Sequence, residues 1–473
     1  MKTDRMTGKT SGRAAAAALL FALFVGGLAA WADGIGWRTD GTGLYPDANP
    51  VTEWSLDSNV IWATEMPDRS NSIPAIVGDR LFVCAEPNIL MCLRLSDGEI
   101  LWQAPNGYTD VAGPDELADM QQKQAEYGAL RKEIAVTANE RRKVAKQLQD
   151  DKENADLKQQ LQTLTDKLKQ LQEQLKPYLD TWYVLPPAHN YNGYASATPV
   201  SDGQHVWALF GNGVGCCYDM DGNRLWARPI EKPRNDYGFG ESPVLADGKL
   251  IVHYLSLKAL DPLTGEEIWS QQVPAHWGTP AVTEIAGTTV LITPNGFWVN
   301  ATDGAKLAQG KGMAQYATPV IHDGAVYFAD GEGAKAVWRA FRLPETLDPS
   351  EPELIWEVQP KNDRYYGSPV IHDGIIYGVT RAQVLSALDL ATGETIYQQQ
   401  LVLGKGECFS SPTLAGGYIL IGADSGMMAV IRPGRTYDEV AINSLETFRS
   451  SPVFVGNRMY LRGFDHMFCI GAQ

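Results

Sequence analysis

SPVIHDGIIYGVTRAQVLSALDLATGETIYQQQL, residues 368–401, reads as one four-stranded unit. Ser368-Pro369-Val370-Ile371 opens a first strand that turns at His372-Asp373-Gly374, and Ile375 to Val379 runs back as a second. Val384 to Leu388 is a third strand, and Asp389 to Gly393 makes a tight turn into a fourth at Glu394-Thr395-Ile396-Tyr397. Short β-branched and aromatic runs broken by Asp-Gly and Thr-Gly are hairpin signals, because glycine supplies the positive φ that such turns demand. A single unit of this kind cannot bury its own faces and requires neighbours of the same shape.

Those neighbours are present. A Ser/Thr-Pro pair, or its variant Ile73-Pro74, opens a strand at Pro74, Pro199, Pro243, Pro280, Pro319, Pro369, Pro412 and Pro452. The intervals are 125, 44, 37, 39, 50, 43 and 40 residues, and all but the first match the period of propeller blades. Unit ends recur as SDGEILW to Trp102, DGNRLW to Trp226 and LTGEEIW to Trp269, with looser forms ending at Leu307, Trp356 and Tyr397. Eight starts predict an all-β, eight-bladed propeller of four-stranded blades. The last unit, residues 451–471, has only three strands, so Asn59-Val60-Ile61-Trp62-Ala63 is expected to supply its outer strand and close the ring.

The long first interval holds an insertion of different character. From Pro114 to Lys176 the chain is rich in Gln, Lys, Glu, Leu and Ala. Leu157, Leu161, Leu164, Leu168, Leu171, Leu175 and Tyr178 alternate spacings of four and three, the seam of a coiled coil. Met120, Tyr127, Leu130, Ile134, Val144 and Leu148 form a second, less regular seam, and Asp150 to Asn154 is the expected turn. The segment therefore predicts an antiparallel α-helical coiled-coil hairpin between blades one and two, ended by Pro177. Its roles are either packing on the rim, or docking a partner or dimerising.

The resulting organisation is a signal peptide over 1–32, an extended segment over 33–53 and the closing strand with blade one over 54–107. The hairpin follows over 114–178, and blades two to eight over 189–473. Residues 1–32 combine a basic start, an apolar run from Ala14 to Ala30 and the small-x-small site Ala30-Trp31-Ala32, predicting cleavage after Ala32 and a periplasmic or secreted protein. The Gly- and Asp-rich residues 33–50 are expected to drape over the surface. The formal charge is −16, and removing the leader, which carries +3, leaves about −19. Such an acidic chain excludes nucleic acid and anionic lipid as electrostatic partners.

Six cysteines occur, and Cys92, Cys217 and Cys469 share a third-strand position where a small apolar side chain suits a packed sheet. Cys216-Cys217 reads as two core thiols, with a vicinal disulfide as the alternative. No zinc spacing, GxSxG, HExxH or phosphate-loop pattern is present, so no catalytic or metal residue is assigned. The candidate site is instead the segment ahead of each unit-starting proline, where a propeller chain crosses one mouth of its channel. Tyr194, Phe239, Trp277, Tyr316, Tyr366, Phe409 and Phe448 recur there, with Arg364 and Arg449, and Asn71 and Glu241 add polar groups. These aromatics either pack between blades or line a mouth for a flat ligand or a partner's loop.

SPVIHDGIIYGVTRAQVLSALDLATGETIY and SPVLADGKLIVHYLSLKALDPLTGEEIW (242–269) closely resemble the pyrroloquinoline-quinone (PQQ)-like propeller repeat, over most of residues 54–473 outside the hairpin. The opening GWRTDGTGLYPDANPVTEWSLDSNVIWATEMP (36–67) is similar to the N-terminal signature of secreted, BamB-like bacterial propellers, with Thr39-Asp40 in place of the usual Gly-Pro-Asn. The resemblance implies one of two functions. BamB-type lipoproteins bind a barrel-assembly partner through propeller loops without chemistry, although this chain lacks their lipid-attachment cysteine. Quinoprotein alcohol dehydrogenases use the quinone and a calcium ion and carry a vicinal cysteine pair like Cys216-Cys217, yet no Glu, Asn and Asp set here matches their calcium ligands. The expectation is a non-catalytic protein-binding scaffold without a cofactor, with PQQ–calcium oxidation and polysaccharide or small-ligand binding as the alternatives.

Overall fold

A computed structural model describes residues 34–179, 181–234, 237–309, 312–332, 335–347 and 352–472. The expected leader and its cleavage site lie outside these residues. Each repeat unit forms a four-stranded antiparallel sheet, with strands of the central unit at Val370–His372, Ile375–Val379, Val384–Asp389 and Thr395–Gln400. Eight such sheets follow one another among the described residues, as the eight proline-led starts require. The ring closes as expected. Val60–Glu65 pairs antiparallel with His466–Ile470, placing Trp62 opposite Cys469, so the eighth blade is built from both ends of the repeat region.

Two recurring devices join adjacent blades. The outer-strand tryptophan of one blade reaches the last turn of the next and donates its indole N–H to a backbone carbonyl. Trp62 bonds Leu95 O (3.3 Å), Trp102 bonds Met220 O (3.0 Å), Trp226 bonds Pro262 O (2.8 Å), Trp269 bonds Ala301 O (3.0 Å) and Trp356 bonds Leu390 O (2.9 Å). Each ring lies over the turn glycine of that neighbour: a Cβ built on Gly222 would stand 2.7 Å from Trp102, and on Gly265 2.8 Å from Trp226. The Asp-Gly and Thr-Gly signals thus have two causes, a positive φ and the absence of a side chain where the tryptophan lands.

The second device is a belt at the inner edge. The backbone N–H of Ile73 donates to Thr198 Oγ1 (3.1 Å), Thr198 N–H to Ser242 Oγ (2.9 Å), and Ser242 N–H to Thr279 Oγ1 (3.0 Å). The series continues through Thr318, Ser368 and Ser411 to Ser451 at 2.8–2.9 Å. Every Ser/Thr of the Ser/Thr-Pro signature is therefore an acceptor for the preceding blade. Ile73, with no hydroxyl, is the one position in the belt that cannot accept.

Residues 34–50 do not drape over the surface. Ile35 and Ser201 exchange backbone hydrogen bonds of 2.8 Å at blade two's innermost strand, and Leu44–Tyr45 adds a parallel strand to Thr413–Ala415 of blade seven. Between these anchors the chain crosses the channel, and Arg38 is 1% exposed. Its guanidinium donates to Pro369 O (3.1 Å) and Pro412 O (2.6 Å), carbonyls of two unit-starting prolines. Inward-facing carbonyls at the hub need a donor, and a forked cation threaded through the hub supplies two. Gly-rich composition signalled a turning chain but not its destination.

The insertion forms the helical hairpin, with helices over Pro114–Asp150 and Ala155–Leu179. At 1.5 Å per residue the longer helix extends about 55 Å. Leu168, Leu171 and Leu175 are buried on one arm and Thr137 and Val144 on the other, so the two seams cover each other. Asn154 caps the second helix through Oδ1 to the N–H of Leu157 (3.0 Å). Pro177 does not end that helix, which runs on to Leu179; so near the C-terminus the missing N–H forfeits one bond only, and proline's φ is helical. At its base Met120 packs with Tyr108, Trp182 and Val214, and Lys232 Nζ bonds Leu179 O and Thr181 O, fixing the arm to blade two.

All six cysteines are buried and free. Cys216 and Cys217 are consecutive in a strand, so they point to opposite faces. Cys216 packs with Phe82 and Leu90 of blade one and Cys217 with Leu245 and Leu250 of blade three, which is the core role and not the disulfide. No described helix is long and apolar enough to cross a membrane.

Candidate functional site: the aromatic mouth

The crossover segments ring a cavity of about 380 Å³ at one mouth of the channel. Their geometry follows from strand alternation. The third residue before the unit-starting proline lines the cavity in all eight units, as does the residue immediately before that proline. Of the positions between them, Ala197 and Ala317 face the cores between blades, whereas Gly278 also lines the cavity.

This register sorts the sequence candidates. Trp277, Tyr316, Tyr366, Phe409 and Arg449 stand three residues before their prolines and line the cavity, as does Arg364. Tyr194, Phe239 and Phe448, four or five residues before their prolines, do not line it, although Arg364 at the fifth position and Gln315 at the fourth do. Phe448, 1% exposed, packs on blade seven where Gly422 leaves room. Phe239 packs against Tyr254 with ring centroids 4.2 Å apart, and the Tyr194 hydroxyl bonds Pro186 O at 2.8 Å. Among the candidate aromatics, those at the third position before the proline line the cavity and those at the fourth or fifth do not.

In the first three units the lining position holds Asn71, Ser196 and Gly240, none of them aromatic. The space above them is taken by the chain leaving the hairpin. Tyr191 and His189 from that segment, with Tyr237 from the next crossover, complete a closed circuit of rings. Phe409 stacks on Tyr366 (4.8 Å, 7°), Tyr366 meets Tyr316 edge-on (4.9 Å, 86°), and Tyr316 stacks on Trp277 (5.3 Å, 26°). Trp277 contacts Tyr237, Tyr237 contacts His189, His189 contacts Tyr191, and Tyr191 returns to Phe409. Asn71 Nδ2 and Arg449 Nη1 both donate to Tyr191 O, at 2.6 and 3.0 Å, bracing the added segment. Tyr191 and Trp37 were missed in the sequence because they come from outside the repeat, Trp37 from the channel-crossing segment, and Tyr237 because it stands six residues before its proline.

Arg449 is braced as well as bracing. Its guanidinium lies 4.3 Å from the Phe409 ring centre and 3.1 Å from Asp424. Glu241 turns away from the cavity and is fully buried. It accepts the His276 N–H at 3.0 Å and stands 3.0 Å from His253 Nδ1, whose Nε2 donates to Val273 O. Because Nε2 holds one proton, the Glu241–His253 contact needs a second proton, shared between carboxyl and imidazole. Burial pushes Glu241 up to about 7 against the opposing pull of His253. Burial draws His253 down, but Glu241 outweighs it and the imidazole is raised.

Both shifts mean that the folded pair binds protons more tightly than the unfolded chain. Its contribution to stability is present at low pH and is lost as pH rises from Glu241's ordinary 4.5 through about 7. The urea midpoint of the protein is therefore expected to fall over that window, and Glu241→Gln, which keeps an acceptor for His276 and a donor for His253, is expected to flatten the profile. A wild-type profile no steeper than that of the Gln variant would refute the assignment.

Among the described residues no Asp or Glu lines the cavity, and Cys216 and Cys217 lie in blade cores away from it. Among the described residues no three His, Cys, Asp or Glu side chains come together to hold a metal ion. The described lining thus offers no carboxylate for the calcium of a quinone–calcium pair.

Comparison with known proteins agrees with this architecture. The family described as outer membrane protein assembly factor BamB matches residues 188–343 and 256–472. The crystal structure of BamB from Moraxella catarrhalis superimposes with a TM-score of 0.53 at 11% identity, covering 88% of this chain and 97% of that one. The computationally designed Ika8 protein superimposes with a TM-score of 0.51 at 9% identity, over 87% of this chain and 100% of that one. No curated protein matches the chain in sequence.

Proposed function

The chain belongs to the BamB family of PQQ-like propellers, and from that membership we propose that it is a non-catalytic, protein-binding scaffold serving outer-membrane protein assembly. Delivery to the periplasm by the leader at 1–32, with cleavage after Ala32, is part of the same proposal. The family match carries the reading. The crossover rim supports it, because eight consecutive units present side chains from rigid blade edges, a surface suited to holding a partner's loop. The hairpin supplies a second contact surface. Its apolar seams are spent on each other, so its outward faces, bearing pairs such as Lys176–Glu173, are free to meet a polar partner surface. The mouth is proposed to work without quinone or calcium, since no described residue of its lining supplies the carboxylates that calcium prefers.

Photoreactive side chains placed at Tyr366 on the rim and at Lys152 on the hairpin tip test this in cells. Cross-links from either position to a component of the outer-membrane barrel-assembly machinery are expected, together with reduced outer-membrane protein levels when the gene is deleted. Unchanged levels and no such cross-link from either position would overturn the reading.

A further inference from the structure

Seven buried hydroxyls face the cavity with their donors unspent. Each belt residue from Thr198 to Ser451 accepts a backbone N–H, and none donates its own hydrogen to a described protein acceptor. All seven are buried, yet all line the cavity. The belt needs only the oxygens. Buried hydroxyl hydrogens without partners are uncommon in folded proteins, and a ring of them asks for an acceptor-rich occupant.

Above this floor stands the aromatic circuit, an aromatic platform in which Tyr366 and Phe409 stack on each other. The amide side chains of Asn71, Asn192 and Gln315 also belong to the lining, although Asn71 spends its amide hydrogens on Tyr191 O and Ser196 Oγ. The charged groups of the described lining are Arg364 and Arg449, and Arg449 is paired with Asp424. The volume of about 380 Å³ falls within the range of small-ligand sites.

We propose that this cavity binds a saccharide. Aromatic faces carry negative potential and suit the C–H face of a sugar ring, while the hydroxyl floor donates to the ring substituents. A small inorganic anion would use the floor but leave the aromatic platform idle. A flat apolar ligand would use the platform but leave the floor unsatisfied. A sugar uses both. The inference stands apart from the scaffold reading, since it concerns the interior of the mouth and not a partner on its rim.

The test is a glycan array of neutral and uronate-containing oligosaccharides probed with the whole mature protein. Titration of the strongest binder, followed by tryptophan fluorescence, then reports on Trp277 and Trp37. Saturable binding is expected, weakened roughly tenfold by Tyr366→Ala and little changed by Tyr366→Phe, which keeps the ring. Melting curves establish that both variants fold. No binding by any glycan at millimolar concentration, or binding indifferent to Tyr366→Ala in a folded variant, would overturn the proposal. So would displacement of no glycan but saturable binding of inorganic phosphate alone.

Discussion

Arg38→Ala is expected to lower the unfolding free energy by about 3 kcal/mol, read from the shift of the guanidinium chloride midpoint. The side chain donates two charge-assisted bonds to Pro369 O and Pro412 O, and alanine leaves both hub carbonyls without that donor. Relief of the burial cost of the cation offsets part of the loss. Burial lowers the guanidinium to about 10, well above neutrality, so it remains charged. Arg38→Lys is expected to recover only part of the stability, because an ammonium cannot reproduce the planar fork. The same change should release the channel-crossing segment, so amides between Gly34 and Tyr45 should exchange faster with solvent deuterium. A midpoint shift under about 1 kcal/mol, with exchange unaltered, would show that the hub does not depend on the fork.

Gly98→Ala is expected to cost about 2–4 kcal/mol, against about 1 kcal/mol for Gly287→Ala. The two glycines share a φ of +76°, so the backbone strain of adding a Cβ is common to both. Their surroundings differ. Nothing lies within 4 Å of a Cβ at Gly287, whereas one at Gly98 would stand 2.6 Å from Trp62 and collide with the Thr64 hydroxyl. Trp62 and Thr64 belong to the strand that closes the ring, and both bond the turn around Gly98, through Leu95 O and Gly98 O. The alanine therefore strikes the joint between the two ends of the propeller. Equal losses for the two variants, measured by urea denaturation, would mean that φ alone requires these glycines.

The proline-led repeat was sufficient to determine eight blades, their turns and the closing strand, because each depends on local alternation and on glycine at fixed turn positions. The hairpin was equally legible, since a seam spaced by threes and fours has one efficient partner, a second such seam. The mouth was legible in part. Trp277, Tyr316, Tyr366 and Phe409 line the cavity because strand alternation repeats with the proline, whereas Tyr194, Phe239 and Phe448, at other positions before it, do not. The sequence by itself thus determined the architecture and the crossovers that meet the channel. Only the tertiary structure decided that Arg38 plugs the hub, that Tyr191 and Tyr237 complete the aromatic circuit, and that Glu241 pairs with His253. Those contacts join residues far apart in the chain or on different strands, and no local periodicity encodes them: each exists because ring closure brings unsatisfied carbonyls, empty space or a buried charge next to a group able to meet it.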